Sequence, residues 1–332
     1  MLCLRGWLRY FGAIAMAAEL DNPAFQDDDL AREWFEARIW PNGPLCPHCG
    51  SFDKGVTKLA GKAHRPGLYQ CNACREQFTV TVGTVMERSK IGLHIWLKAM
   101  YLMSASKKGI STHQLHRMLG VSLKSTWFLT HRIREAMREP SFAAKMGGRL
   151  QPVQADETFV GRRTTRAGEK RQRGYQEKEP IVTLVDGKQV RSFHVPAVNA
   201  ATLKPILREQ IDKAAMVFTD EAAYYSGLKA DFPAGHFTVN HSIGEYVRGG
   251  ATVNACENYF SIFKRGIFGV YQHVSPTHLK RYVGEFDFRY NNRVGLGVDD
   301  MQRTEKVARG MVGKRLTYQQ SGRRPETPST VH

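Results

Sequence analysis

The sequence predicts a multidomain α+β protein that combines a small cysteine-bearing module, a helical module and a larger mixed α/β module. Three observations support this fold class. Two CxxC pairs stand early in the chain, a stretch of helical periodicity with capping signals follows them, and apolar strands alternate with turns and helices after residue 150. A chain of 332 residues is long enough for two or three such domains, each with its own core.

These patterns divide the chain into five segments. In order, we expect a disordered leader over 1–21, an acidic helix with the cysteine module over 22–88, the helical module over 89–145, the α/β module over 150–293 and a basic tail over 294–332. Within the leader, Met16 is an alternative start of the protein.

The balance of charges indicates a polyanionic partner. The chain carries 48 lysines and arginines against 31 aspartates and glutamates, a formal net charge of +17. Because the first 44 residues are acidic, the basic excess lies in the body of the chain. Such an excess usually faces nucleic acid. The apolar stretch 10–18 is too short to span a bilayer, so we expect a cytoplasmic, nucleoid-associated protein without membrane contact.

Four cysteines have the spacing of a structural zinc site. The two pairs are Cys46 with Cys49 and Cys71 with Cys74. A CxxC turn lets two thiolates reach one ion, and two such turns complete the tetrahedral shell of Zn2+. The β-prone segments beside them indicate two hairpins, the form of a zinc ribbon; a redox dithiol is the alternative. Because four thiolates already complete the site, we expect His48 and His64 to point to solvent.

Local signals predict two consecutive helices joined by a tight turn. Ser111 is an N-cap with Gln114 three residues later as its capping-box partner, so a helix should begin there. Gly120 ends that helix and Ser122 caps the next, which is typical of a helix-turn-helix. The preceding segment, 92–106, is apolar enough to be a core helix.

The second of these helices is expected to present cations to DNA. Its apolar residues Leu129, Ile133 and Met137 recur on one face. The cations expected to be exposed, which suit phosphates or guanine edges, are Lys124, Arg132, Arg134 and Arg138. An ordinary pair of packed helices is the alternative. We interpret Trp96 and Trp127 as core residues and not as base-stacking platforms.

The α/β module places three acidic residues where chain geometry brings them together. Its predicted elements are strands 153–160, 181–185 and 190–195, a helix 201–213, a strand 214–218 and a later helix 255–265. Asp156 lies on the first strand, Thr219 and Asp220 end the run of the fourth, and Glu257 lies on the late helix. This is the order of a ribonuclease-H-like nuclease core.

Converging carboxylates of this kind hold two divalent cations, which activate the attacking oxygen and stabilise the leaving oxygen of a displacement at phosphorus. Oxygen ligands suit Mg2+ or Mn2+. The alternative for each acid is a surface residue or a helix cap. Glu157 and Glu221 are rivals of their neighbours, although strand alternation sends Glu157 to the face opposite Asp156.

Taken together, these residues resemble the DDE-class transposases of bacterial insertion sequences, in the subgroup with an N-terminal zinc ribbon. The matching motifs are residues 40–49, 69–78, 83–85, 156–161, 219–220, 240–242 and 245–247, then 257, 261, 264–266 and 273–275. Two positions depart from the family pattern. Arg162 stands where a second glycine is common, and Asn258 where a small glycine is usual.

The resemblance implies that Asp156, Asp220 and Glu257 act as the catalytic acids. It also implies that Lys264, with Arg265 beside it, contacts the phosphate of a transposon end. We expect a basic loop that includes Arg162 and Arg163 to lie along DNA, with a solvated loop as the alternative. The best candidate among the histidines for a phosphate contact is His241.

The sequence therefore predicts a transposase that binds terminal inverted repeats, cleaves the ends of its element and joins them to target DNA. Its cofactors would be a structural Zn2+ and two catalytic Mg2+ or Mn2+ ions. Since a synapse holds two ends, we expect at least a homodimer on DNA. The alternatives are a non-catalytic DNA-binding regulator derived from a transposase and a structure-selective nuclease that does not join strands.

Overall fold

A computed structural model describes residues 19–139, 144–149, 151–161, 178–239 and 254–317 of the chain. Most of the predicted leader, the predicted basic loop and the last part of the predicted tail lie outside these ranges. Within them, no helix combines the length and the apolar character that a membrane crossing requires.

The N-terminal part consists of one helix and a small three-stranded sheet. These elements are α1 (Asp28–Ile39), β1 (Val56–Lys58), β2 (Tyr69–Cys71) and β3 (Gln77–Phe78). The predicted acidic helix begins where expected, because the Asp27 side chain accepts hydrogen bonds from the backbone N–H groups of Asp29 and Leu30. The three strands pair in chain order and antiparallel, as hairpins do.

Three helices follow, and the local signals predicted their bounds closely. They are α2 (Leu93–Ala105), α3 (Thr112–Leu119) and α4 (Leu123–Met137). Ser111 and Ser122 cap α3 and α4 through their hydroxyls. Gly120 has a φ of 66°, the left-handed conformation that ends a helix at little cost for glycine. Trp96 is 1% exposed, which confirms it as a core residue.

The α/β part contains a five-stranded sheet with the order β6-β5-β4-β7-β8. The strands are β4 (Val153–Val160), β5 (Glu179–Val185), β6 (Val190–His194), β7 (Val217–Asp220) and β8 (His236–Val239). The helices are α5 (Ala200–Gln210), α6 (Asn254–Gly266) and α7 (Pro276–Asn291). Strand β5 pairs antiparallel with both β4 and β6, whereas β7 runs parallel to β4 and β8 parallel to β7.

Helices cover both faces of this sheet. On one face Val153 and Ala155 of β4 pack with Leu203 and Leu207 of α5. On the other face Val160 packs in a second apolar cluster with residues of α6 and α7. Alternation along β4 therefore directs Asp156 to the α6 face and Glu157 to the α5 face, as predicted.

The C-terminal segment was predicted as a basic tail from residue 294, and this is wrong for its first part. Residues Asp300–Arg309 form helix α8, capped by Asp299. Val307, Ala308 and Met311 are buried in the apolar core of α1, α2 and α4. The chain thus returns to its N-terminal half after the α/β part. Its buried face includes the polar Arg303 and Thr304 beside Val307 and Ala308, so the segment has the composition of a polar tail although it packs as a helix.

Candidate active site and metal centre

Four cysteine sulfurs converge beside the three-stranded sheet. The Sγ atoms of Cys46 and Cys74 are 3.7 Å apart, and those of Cys49 and Cys71 are 3.5 Å apart. All four sulfurs lie within 4.8 Å of one another. Tetrahedral Zn2+ with bonds of about 2.3 Å places its sulfurs about 3.8 Å apart. The four thiols therefore fit one zinc ion.

Backbone turns hold these sulfurs in place. The N–H of Gly50 donates to the carbonyl of Cys46, and the N–H of Arg75 donates to that of Cys71, so each pair lies on a closed turn. Cys46 and Cys71 are buried with Tyr69 and Phe78. His48 and His64 are exposed, and neither belongs to the described group of possible ligands.

Asp156 and Asp220 lie on neighbouring parallel strands at the same level. The register of β4 and β7 pairs Gln154 with Phe218. Asp156 and Asp220 each lie two residues further along their strand, so they are side by side on the same face of the sheet. Oδ1 of Asp156 accepts a 2.8 Å hydrogen bond from the N–H of Glu157. Oδ1 of Asp220 accepts a 3.1 Å bond from the N–H of Ala222. Both carboxylates are half-buried and oriented by backbone donors.

Glu157 joins these two aspartates, whereas the sequence analysis gave it only as a rival of Asp156 on the opposite face of the strand. One ligand oxygen from each of Asp156, Glu157 and Asp220 lies within 4.8 Å of the others. Strand alternation determines only the direction of the Cα–Cβ bond. The longer Glu157 side chain lets its carboxylate approach those of Asp156 and Asp220. Oxygens on one Mg2+ are up to about 4.2 Å apart, so the three carboxylates are close to the span that such an ion requires.

The environment of Glu157 opposes its ionisation. The pKa of this carboxyl is raised to about 7. Burial is the main cause, the hydrogen bond from Tyr225 lowers the pKa, and the charges of Asp220 and Asp156 raise it. The crowding of negative charge is what a bound divalent cation would relieve. Tyr225 itself is 1% exposed, and nothing in the sequence singled it out.

Glu257 lies beside this cluster but outside it. It occupies the first turn of α6 and is exposed. This helix end is fixed to β4, since the N–H of Ala255 donates to Oε1 of Gln154 at 2.9 Å. Burial raises the pKa of the adjacent Cys256 thiol, and the charges of Asp156, Glu257 and Glu157 add to that rise. Within the described residues, Glu257 is not among the carboxylates grouped within 4.8 Å.

The residues predicted to contact DNA divide into four groups. Lys124 and Arg265 are exposed, and Arg132 and Lys264 are half-buried. The prediction for Arg134 is wrong. Its side chain is fully buried and its Nε donates a 2.7 Å hydrogen bond to Oε2 of Glu285 on α7. Arg162, Arg163 and His241 lie outside the described residues.

Comparison with known proteins identifies both modules. Residues 146–291 match the ISXO2-like transposase domain, and residues 26–77 match the transposase zinc-ribbon domain. An uncharacterized protein in transposable element ISH50 of Halobacterium salinarum is 29% identical over 265 residues, covering 75% of this chain and 86% of that protein. An uncharacterized transposase-like protein of Haemophilus influenzae is 31% identical over 104 residues, covering 31% of this chain and 82% of that protein.

Two solved structures also show a distant likeness. The crystal structure of a pre-cleavage Mos1 transpososome has a TM-score of 0.25 at 12% identity, with 60% of this chain and 74% of that chain covered. The mariner Mos1 paired end complex with Mg has a TM-score of 0.24 at 14% identity, with 67% and 80% covered. These scores are too low to bear on this chain. The domain matches and the relatives, by contrast, show that the chain belongs to the ISXO2-like DDE transposases that carry a zinc ribbon.

Proposed function

We propose that this protein binds the terminal inverted repeats of its insertion sequence and catalyses metal-dependent end cleavage and strand transfer into target DNA. The observation that carries this proposal is the approach of Asp156 and Asp220 on adjacent parallel strands, within a matched transposase domain. A cluster of carboxylates at a strand end suits two-metal chemistry at phosphorus.

Asp156 and Asp220 would hold Mg2+ or Mn2+, with Glu157 as a third oxygen ligand and Glu257 approaching from α6. When bound, the cations lower the cost of the negative charge that develops on the attacking and leaving oxygens. Lys264 and Arg265, on the last turn of α6, would contact the phosphate of the transposon end. Hydrolysis first releases a 3'-OH at the end of the element.

In the joining step, that 3'-OH oxygen forms a bond to a target phosphorus while the bond from this phosphorus to the target 3'-oxygen breaks. One phosphodiester forms for each one broken, so the step needs no external energy source. The acids of this chain serve to hold the cations and to keep the attacking and leaving oxygens in line.

The N-terminal modules would recognise the ends. The cysteine cluster would bind a structural Zn2+ that holds the ribbon together, because so small a module has little core. The exposed Lys124 on α4 would contact DNA, and Arg132 would contribute where it reaches the surface. Two ends must meet in one complex, so the active form on DNA would contain at least two copies of the chain.

A joining assay tests this proposal. The substrate is DNA carrying the two ends of the element that encodes the chain, with a plasmid target and either Mg2+ or EDTA. We expect nicked ends and joined products with Mg2+ only, and neither product from Asp156→Asn. An exposed acid on α5 supplies the matched control, Glu209→Gln, which should join normally. A wild-type protein that binds ends but never cuts them would instead support the regulator.

A further inference from the structure

A groove separates the α3–α4 pair from the turn that follows α6, and we call it the α3–α4 groove. Its volume is about 720 Å³. Ser111 and His113 line it from the start of α3, Lys124 and Trp127 from the start of α4, and His273 from the turn. Tyr271 and Tyr282 complete its aromatic wall. The groove therefore lies between the predicted DNA-reading helices and the domain with the acids.

The chemistry of the groove favours an anion. Its described lining contains Lys124 and two imidazoles but no aspartate or glutamate. His113, Lys124 and His273 are all exposed. The first turns of α3 and α4 border the groove, and the N–H groups of a first helical turn carry partial positive charge. These features together suit a phosphate group.

The aromatic wall suits a nucleobase. Trp127 is half-buried, which contradicts its interpretation as a core residue. Its ring centroid lies 4.2 Å from that of His131 and 5.4 Å from that of His278, so neighbouring rings support it. His131 is 1% exposed and forms the floor behind the indole. Base-on-aromatic stacking requires a base that has left the duplex stack, since a paired base already stacks on its neighbours.

The groove also continues towards the carboxylates. Gln272 and His273 line both this groove and a smaller cavity of about 280 Å³ that reaches Gly161 at the end of β4. Gln272 has a φ of 60° and a ψ of −47°, an uncommon backbone conformation for a residue with a side chain. Gly161 follows Asp156 by five residues, about 17 Å along an extended strand, which about five nucleotides of one DNA strand span.

We propose that the α3–α4 groove holds an unpaired nucleotide of the DNA substrate. The base stacks on Trp127, and its phosphate lies beside Lys124 at the first turns of α3 and α4. This inference rests on the proposed function, because DNA is its substrate there, and it adds a site for single-stranded DNA outside the carboxylate cluster.

The test measures binding of a fluorescently labelled short oligothymidylate to the full-length protein by anisotropy. Stacking of one base contributes enough that we expect Trp127→Leu to bind about ten-fold or more weakly, whereas Trp127→Phe should keep most of the affinity. Lys124→Ala should weaken binding. It should also reduce the slope of log K against log salt concentration by about 0.7, the value for one phosphate contact to single-stranded DNA. Lys188→Ala, an exposed lysine at the β5–β6 turn, is the matched control and should bind as wild type does.

A second readout separates stacking from a loss of structure. Oligothymidylate should quench tryptophan fluorescence in the wild type, and Trp127→Phe should remove that quench while its thermal unfolding stays unchanged. Equal affinity in wild type and Trp127→Leu would overturn the proposal. So would a duplex that binds with the same dependence on Trp127, because the contact would then not need an unpaired base.

The groove proposal and the proposed function can fail separately. If the protein never joins strands but its oligothymidylate binding depends on Trp127, the groove proposal stands and the transposase proposal falls. If joining proceeds normally in Trp127→Leu, and that variant binds oligothymidylate as wild type does, the groove proposal falls alone.

Discussion

The hydroxyl of Tyr225 donates a 2.8 Å hydrogen bond to Oε2 of Glu157. Tyr225 is buried among the apolar side chains between the sheet and α5, so its ring cannot move without disturbing that core. The bond therefore fixes one carboxylate oxygen of Glu157 and leaves the carboxylate directed at Asp156 and Asp220. A rigid, buried residue thus orients a candidate metal ligand.

Removing that hydroxyl should weaken metal binding more than it weakens the fold. Outer ligands of this kind typically change metal affinity about 10- to 100-fold, so we expect Tyr225→Phe to raise the dissociation constant for Mn2+ by about ten-fold. Titration calorimetry measures that constant directly. Tyr224→Phe removes the neighbouring hydroxyl from a half-buried ring and should leave the constant unchanged. An unaltered constant in Tyr225→Phe would show that Glu157 does not bind the ion.

Neutralising one acid of the cluster should stabilise the metal-free protein. The charges of Asp220 and Asp156 oppose ionisation of Glu157, so Asp220→Asn relieves a repulsion. We expect the melting temperature in EDTA to rise by a few degrees, corresponding to about 1 kcal/mol. The increase that Mg2+ produces in the wild type should be absent from the variant. A variant that is less stable in EDTA would contradict this reading of the cluster.

The buried pair of Arg134 and Glu285 should contribute to stability above the acid range. Burial opposes ionisation of Glu285, but the guanidinium groups of Arg289 and Arg134 outweigh it and hold its pKa at about 2. The folded pKa lies below the ordinary value of about 4.5, so the contribution is complete above that value and is lost as pH falls towards 2.

Glu285→Gln tests this contribution. The variant leaves Arg134 and Arg289 buried beside a neutral amide, so we expect a loss of about 3 to 5 kcal/mol near neutral pH. The free energy difference between wild type and variant, from denaturant unfolding, should shrink as pH falls from about 4.5 to about 2. Zinc release at acid pH affects both proteins and cancels in this difference. A difference that does not change with pH would show that the pair is not ionic.

Zinc should be required for folding of the zinc ribbon and not for folding of the five-stranded sheet. We expect about one zinc ion per chain by elemental analysis and almost none in Cys71→Ala. Cys256→Ser is the matched control, because that thiol lies in the α/β part and donates to backbone carbonyls, as a serine hydroxyl also can. NMR spectra of Cys71→Ala should lose the dispersed signals of the ribbon but keep those of the five-stranded sheet. Normal zinc content in this variant would contradict the four-cysteine site.

Local chemistry made much of this fold predictable. Ser111, Gly120 and Ser122 specify their helix ends through bonds within a few residues, and the structure places the ends of α3 and α4 there. The proximity of Asp156 and Asp220 was predictable because each lies on a strand of the same sheet. The CxxC pairs likewise encode their own geometry.

The errors concern partners that are distant in sequence or side chains that bend. Arg134 looks exposed on a helical wheel, yet its partner Glu285 follows 151 residues later and no local pattern announces it. Glu157 lies on the predicted face of β4. Strand alternation, however, does not determine the position of a carboxylate at the end of a flexible side chain. Helix α8 packs in the core of the N-terminal half, and just beyond it Val312 pairs with Thr84.

The measurement that tests the central claim most directly compares end binding with strand joining in the same four variants. These are Asp156→Asn, Asp220→Asn, Glu157→Gln and Glu257→Gln. We predict that all four bind DNA ends as tightly as wild type, that the two aspartate variants and Glu257→Gln join none, and that Glu157→Gln joins at least ten-fold more slowly. Joining that survives both Asp156→Asn and Asp220→Asn would contradict the assignment of this carboxylate cluster as the active site.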